Sequence, residues 1–151
     1  MIDDAQTKQK ILENTLCNVF ENMYYMFPER IIHSYDQFSF PLLCFYTQVP
    51  FCENQKRFYL YAAKLLVTKM AKNFLGEERS FEDDELIDIF REAANVIIGN
   101  FISASDAAPD VRFQVPVITE KMIKSCVSER SSDIDLIYAI ESDFFKIELI
   151  G

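Results

Sequence analysis

The chain is poor in glycine: Gly76, Gly99 and Gly151 are the whole set in 151 residues. A phosphate cradle of the P-loop or dinucleotide kind needs two or three glycines within one tight loop, so nucleotide enzymes of those classes are excluded. Histidine occurs once, at His33, which removes a His-rich zinc site and leaves an ordinary exposed or loop-edge residue. The four cysteines, Cys17, Cys44, Cys52 and Cys126, form neither a CxxC pair nor a disulfide framework, as expected of buried thiols in a reducing cytoplasm. Positive charge is also in deficit, with 15 basic residues against 24 acidic and a net charge of -9. The resulting repulsion argues against nucleic acid and anionic membrane surfaces as partners. No apolar run approaches the ~18 residues of a membrane span. The start, Met1 to Gln6, carries acid where a secretory signal carries base, so no such signal is expected.

What the chain does have is material for a core. Half of it is hydrophobic, with 14 Phe and 7 Tyr, the composition of a globular protein. At this length about 70% of the unfolded surface can be buried, so one domain over 1–151 is expected without a metal or disulfide staple. Ile11, Leu12, Thr15, Leu16, Val19, Phe20 and Met23 recur at helical spacing and predict an amphipathic helix over 5–27, ending before Pro28. The aromatic and β-branched segment Phe38 to Phe51, broken by Pro41 and Pro50, reads as two short strands. Arg57 to Tyr61 reads as a third strand that runs straight into a helix over 62–75, stopped by Gly76. The acidic stretch Glu77 to Glu85 reads as a solvated loop opening a helix over 84–102, its carboxylates complementing the helix dipole. After a polar linker, Ser103 to Asp110, come strands at Phe113–Thr119, Ile123–Ser128, Ile134–Ile140 and Phe144–Ile150. The last two form a hairpin over Glu141, Ser142 and Asp143.

A faint repeat emerges when the first helix is laid on the third. Thr15-Leu16-Cys17-Asn18-Val19 aligns with Glu92-Ala93-Ala94-Asn95-Val96 at an offset of 77, and Phe38 to Leu43 aligns with Phe113 to Ile118 at 75. A duplication of this kind predicts two helix-plus-strands halves sharing one sheet, with 62–75 as a connecting helix.

On the third helix Asp88, Glu92, Asn95 and Gly99 form one polar line along a surface otherwise built of Leu86, Ile87, Ile89, Phe90, Ala93, Val96, Ile97 and Ile98. Spacing alone serves a solvent face and a contact site equally. Two details weigh against a plain solvent face. The C-terminal half of the line has a short amide and a glycine where Lys, Arg and Glu are usual, and Gly99 costs about 1 kcal/mol relative to alanine inside a helix. The string Asp88-x-x-x-Glu92-x-x-Asn95-x-x-x-Gly99-Asn100 resembles the signature of the CheC and CheX group of chemotaxis phosphatases, D/S-x-x-x-E-x-x-N followed by x-x-x-G-N. Tyr59-Leu60 entering the second helix, the acidic loop, the motif helix and a short strand around Val115 to Ile118 follow that group's order. The resemblance therefore runs from Ile11 to Ile150.

The resemblance implies an α+β fold, an antiparallel sheet packed with long helices and duplicated internally, in which two-site members carry one motif per half. Here Ile11 stands where the first motif has Asp or Ser and Thr15 where it has its acid, and only Asn18 is retained. The chain is thus similar to the single-site CheX type, whose members pair through their sheets into homodimers. The implied activity is hydrolysis of the aspartyl phosphate of a CheY-like response regulator in the cytoplasm. Glu92 and Asn95 would be the catalytic pair, Glu92 anchoring the partner's lysine and Asn95 orienting the attacking water, with Asp88, Gly99 and Asn100 touching the partner. An acyl phosphate hydrolyses spontaneously, so no cofactor is expected beyond Mg2+ on the regulator. Rival readings are a docking domain that binds a response regulator or flagellar switch component without hydrolysis, and a structural dimer module. A third is an enzyme using Asp88 and Glu92 as acid and base, which is disfavoured because carboxylates one turn apart, about 5 to 6 Å between β-carbons, are too close to straddle a substrate with room for water, although that spacing alone does not exclude a nucleophilic pair.

Overall fold

The computed structural model describes residues 4–32, 38–50, 56–105, 114–127 and 130–151. The helices are α1 (Asp4–Met23), α2 (Lys64–Leu75) and α3 (Asp83–Ala104). The strands are β1 (Glu29–Arg30), β2 (Leu42–Pro50), β3 (Arg57–Ala63), β4 (Thr119–Ile123), β5 (Ile134–Ile140) and β6 (Asp143–Ile150). All six strands join one sheet in the order β1-β5-β6-β3-β2-β4, and every neighbouring pair is antiparallel. The architecture is α+β, as the sequence implies.

Side-chain alternation along the strands separates the two faces of the sheet. Phe45 of β2 meets Phe90 of α3 at 6.3 Å between ring centroids, and Phe58 of β3 meets Phe101 at 5.4 Å, so these residues face the helices. Their neighbours Tyr46, Tyr59 and Tyr61 consequently point to the opposite face, with Lys146 and Glu148 of β6 directly across from Tyr61 and Tyr59. That second face is covered in part by irregular chain. Phe38 and Phe40 pack edge-on against Phe144, and the Cys126 carbonyl accepts from Lys146.

The sheet order is unchanged when β1, β2 and β3 are exchanged with β4, β5 and β6 and the sheet is read from its other edge. A duplicated α-β-β-β half gives this arrangement, with α2 inserted between the halves. The helical part of the expected repeat falls on α1 and α3. Its strand part does not hold: Phe38 to Leu43 begins between β1 and β2, whereas 114–118 lies between α3 and β4, so the offset of 75 aligns segments that are not equivalent.

Several boundaries differ from expectation for identifiable reasons. The first helix stops at Met23 and not at 27: Tyr25 takes φ 57, and the N–H groups of Tyr24 and Met26 both turn back to the Phe20 carbonyl at 3.1 Å. Burial then alternates, Tyr24 and Met26 inside and Tyr25 and Phe27 outside, which a continuing helix could not achieve. Phe38 to Phe51 holds one nine-residue strand because Pro41 precedes it and Pro50 is its last residue, so neither interrupts the ladder. Ala62 and Ala63 belong to β3, and α2 starts at Lys64. Residues 114–118 are not a strand. Their polar groups are taken up elsewhere, Gln114 N donating to Pro50 O at 3.3 Å, and Val117 O and Pro116 O accepting from Thr47 Oγ1 at 3.1 Å and Arg91 Nε at 3.2 Å. The ladder starts at Thr119, and Ile123 ends β4 where a new strand was expected to begin. The β5–β6 turn is Glu141-Ser142 alone, both at positive φ (53 and 68), with Ile140 paired to Asp143. Cys44 and Cys126 are buried free thiols as expected, whereas Cys17 is only half-buried, and burial pushes the Cys44 thiol up to about 12. His33, Cys52, Phe113 and Ser128, and most of the 103–110 linker, lie outside the described residues.

Gly76 closes α2 at φ 67, its N–H bonded to Lys72 O at 2.9 Å. A β-carbon there would meet no atom within 4 Å, so strain in the left-handed backbone is the whole cost of a side chain. Gly76→Ala is expected to lower stability by about 1 kcal/mol, read as a lower urea midpoint at unchanged slope.

Candidate functional site

The sequence 83–104 is helical because its apolar residues recur every three to four positions. Leu86, Ile89, Phe90, Ala93, Ala94, Ile97, Ile98 and Phe101 are buried on one side, against the sheet, α1 and α2. Its start is fixed by charge. Glu82 N donates to Glu85 Oε2 at 2.8 Å, and Arg79 binds both oxygens of Glu85, holding that carboxyl below its usual range. Lys64 bridges Asp83 at 2.9 Å and Glu120 at 3.3 Å, which ties the helix start to α2 and β4 and lowers the Asp83 carboxyl. The acidic run thus does structural work at the helix entrance.

The opposite side of α3 presents Asp88, Glu92, Asn95 and Gly99 in a row. Asp88 and Glu92 are exposed, Asn95 and Gly99 half-buried. Glu92 and Asn95 are separated by about 4.5 Å of rise along the axis and lie within one turn. Asp88 is committed locally: its Oδ1 accepts from Arg91 Nη1 at 2.7 Å, while Arg91 also holds Pro116 O, so this carboxylate sits at the edge of the row with its side chain 74% exposed. Asn100 is exposed but turned about 100° from Gly99, so it does not join the line.

Beside Glu92 the ends of α1 and α2 meet. Tyr24 is buried, its ring 5.9 Å from Phe74, and its carbonyl accepts from Asn73 Nδ2 at 2.8 Å. Burial raises the Tyr24 phenol above its ordinary range, and the Glu92 carboxylate adds to the rise. Exposed Tyr25, Phe27, Phe74 and Leu75 surround this junction. Sequence reasoning did not find these neighbours; the only local signal is the aromatic run that closes α1. On α1 itself, Thr15 is buried at 7% exposure, Ile11 half-buried and Asn18 exposed, so the corresponding row has no carboxylate to offer.

A row with two exposed carboxylates, one of them held by Arg91, and one half-buried amide can position a partner's groups and a water molecule. Among the described residues no three His, Cys, Asp or Glu side chains are grouped to hold a metal ion, and no helix is long and apolar enough to cross a membrane.

Comparison with known proteins matches residues 53–134 to the family described as chemotaxis phosphatase CheX. The chain is similar in structure to chemotaxis protein CheX from Vibrio vulnificus, with 15% identity, 99% of each chain covered and a TM-score of 0.74. It is likewise similar to a CheC-like superfamily protein from a Shewanella species, with 16% identity, 99% and 100% covered and a TM-score of 0.68. A third likeness is to the CheX–CheY–BeF3–Mg2+ complex from Borrelia burgdorferi, with 15% identity, 93% and 95% covered and a TM-score of 0.63. At these identities the structural likeness is one of fold. The comparison with curated proteins gives no match.

Proposed function

The chain belongs to the CheX family of chemotaxis phosphatases, and on that premise we propose that it hydrolyses the aspartyl phosphate of a CheY-like response regulator in the cytoplasm, with α3 as the docking element. The observation that carries the reading is the pairing of exposed Glu92 with half-buried Asn95 one turn along the outward side of α3. A CheX is seen bound to CheY with BeF3 and Mg2+ in the Borrelia complex, which supports a partner of this class. The substrate is an acyl phosphate with a good leaving group, so the helper's task is to position a water in line with the scissile bond. Asn95 performs that step: its carboxamide holds the water, and being neutral it does not repel the phosphoryl oxygens. Glu92 pairs with the regulator's active-site lysine, a charge-assisted bond that fixes the register of Asn95. Asp88, held by Arg91, makes a rim contact, and Gly99 keeps the far end of the row shallow. Mg2+ is supplied by the regulator.

The decisive measurement is the decay of phosphorylated response regulators from the same genome with and without the protein. Acceleration supports the reading, and binding without acceleration replaces it with a non-catalytic docking domain. Asn18→Ala is expected to leave the rate within about twofold, because buried Thr15 gives that row no anion to pair with a lysine. The reading extends to a homodimer joined through an outer strand of the sheet, since unpaired edges otherwise invite aggregation. Light scattering is expected to give twice the 17.6 kDa chain mass at micromolar concentration, and the chain mass itself would rule the dimer out.

A further inference from the structure

The sheet face turned away from α3 holds a cavity of about 290 Å3 between β4, β6 and the chain that follows β4. Its lining includes four cations, Lys121, Lys124, Arg130 and Lys146, and one carboxylate, Glu148. Asp135 lies 3.6 Å from Lys146, and even with it counted the described residues at the site carry more positive than negative charge, in a chain whose net charge is -9. The surface average points the other way, so this concentration of positive charge needs a reason.

Three of these cations, Lys146, Arg130 and Lys121, are also held in place. Lys146 is 4% exposed, its Nζ donating to Cys126 O at 2.9 Å and pairing with Glu148 at 3.1 Å. Burying such a pair costs more desolvation than apolar packing in the same volume would, so core formation alone does not call for it. Arg130 lies 3.9 Å over the Tyr59 ring and donates to Tyr61 Oη at 3.4 Å. Lys121 sits 4.7 Å over Tyr46, which is paired across the strands with Tyr61. The tyrosine faces thus fix a guanidinium and an ammonium beside a buried ammonium, while Ile123 and Phe144 supply an apolar wall.

We propose that this cavity binds a small organic anion, a carboxylate or phosphate headgroup on a flat or apolar body. Its volume is near the lower end for small-molecule sites, about 300 Å3, which suits a metabolite-sized ligand and not a polymer. The inference is independent of the phosphatase reading, because the site and the Glu92–Asn95 row lie on opposite sides of the sheet.

The test titrates the full chain with phenyl phosphate and with benzoate, using benzyl alcohol and benzylamine as neutral and cationic controls, followed by amide NMR shifts and calorimetry. At least one anion is expected to saturate one site with a Kd below about 1 mM, shifting amides of 121–127 and β6 while those of α3 stay in place. The two anions distinguish a carboxylate from a phosphate headgroup. The exposed-site variant Lys121→Glu/Lys124→Glu is expected to weaken binding about tenfold or more with an unchanged circular dichroism spectrum, and Arg130→Gln to weaken it independently. A response to benzyl alcohol equal to that of the anions, no saturable response to either anion, or shifts centred on α3 would each overturn the proposal. So would a wild type indifferent to both anions whose dimer dissociates in the Lys121→Glu/Lys124→Glu variant, since the face would then belong to a second copy of the chain.

Discussion

Asn95→Ala is expected to slow regulator dephosphorylation by about a hundredfold while leaving affinity for the regulator nearly unchanged. The amide's proposed contact is with a water that becomes ordered only as the scissile bond breaks, so its loss belongs to the transition state. Glu92→Ala is expected to behave differently and weaken binding as well, because it strands the partner's lysine without its counter-charge. Single-turnover decay at saturating and sub-saturating protein separates the two effects. Asn95 is half-buried on a helix that packs against the sheet, so matching circular dichroism is required before rates are compared. Asn95→Ala with normal activity beside an inactive Asn18→Ala would move the site to α1.

Glu148→Ala is expected to cause the largest loss of stability of any single polar truncation discussed, about 3 kcal/mol, at the lower end of the range for breaking a buried ion pair. Glu148 is 2% exposed, 3.1 Å from Lys146, and also accepts from Ser132 Oγ at 3.0 Å. Its removal leaves the Lys146 ammonium inside the protein with Asp135 as a more distant partner, which keeps the loss from being larger. Adding Lys146→Met to Glu148→Ala is expected to recover much of the loss, since an apolar side chain of similar length removes the stranded charge. Urea unfolding of the wild type, both single variants and the double variant closes the cycle. A double variant as unstable as the sum of the singles would mean that the two charges act independently.

The parts of the fold that could be read in advance are those set by local pattern. The 3.6-residue stripes of α1 and α3, Gly76 at the end of α2 and the two strands of the β5–β6 hairpin all carry their own signals. The misreadings fall where distant side chains decide. Residues 114–118 have strand-like composition, yet Thr47 and Arg91 claim their carbonyls, and β1 has two exposed residues with no apolar alternation to betray it. Lys146 and Glu148 are charged residues of β6 whose burial no local pattern announces, since Cys126 and Ser132, from outside the strand, take up their polar groups. The row on α3 was legible because all its members share one helix. Tyr24 and Asn73, which complete its surroundings, come from other elements, and no spacing could connect them.

The repeated strand order around the central β3–β6 pair gives the protein a nearly two-fold frame, but its two long helices do not offer the same surface. Thr15 is packed inside on one, while Glu92 is exposed on the other. A frame of this kind, if both rows were equipped, would accept a partner in either of two orientations half a rotation apart. With one row equipped, the degeneracy is lifted. On the proposed reading each chain then engages one regulator in one orientation, and α1 is left free to accumulate substitutions constrained by packing alone.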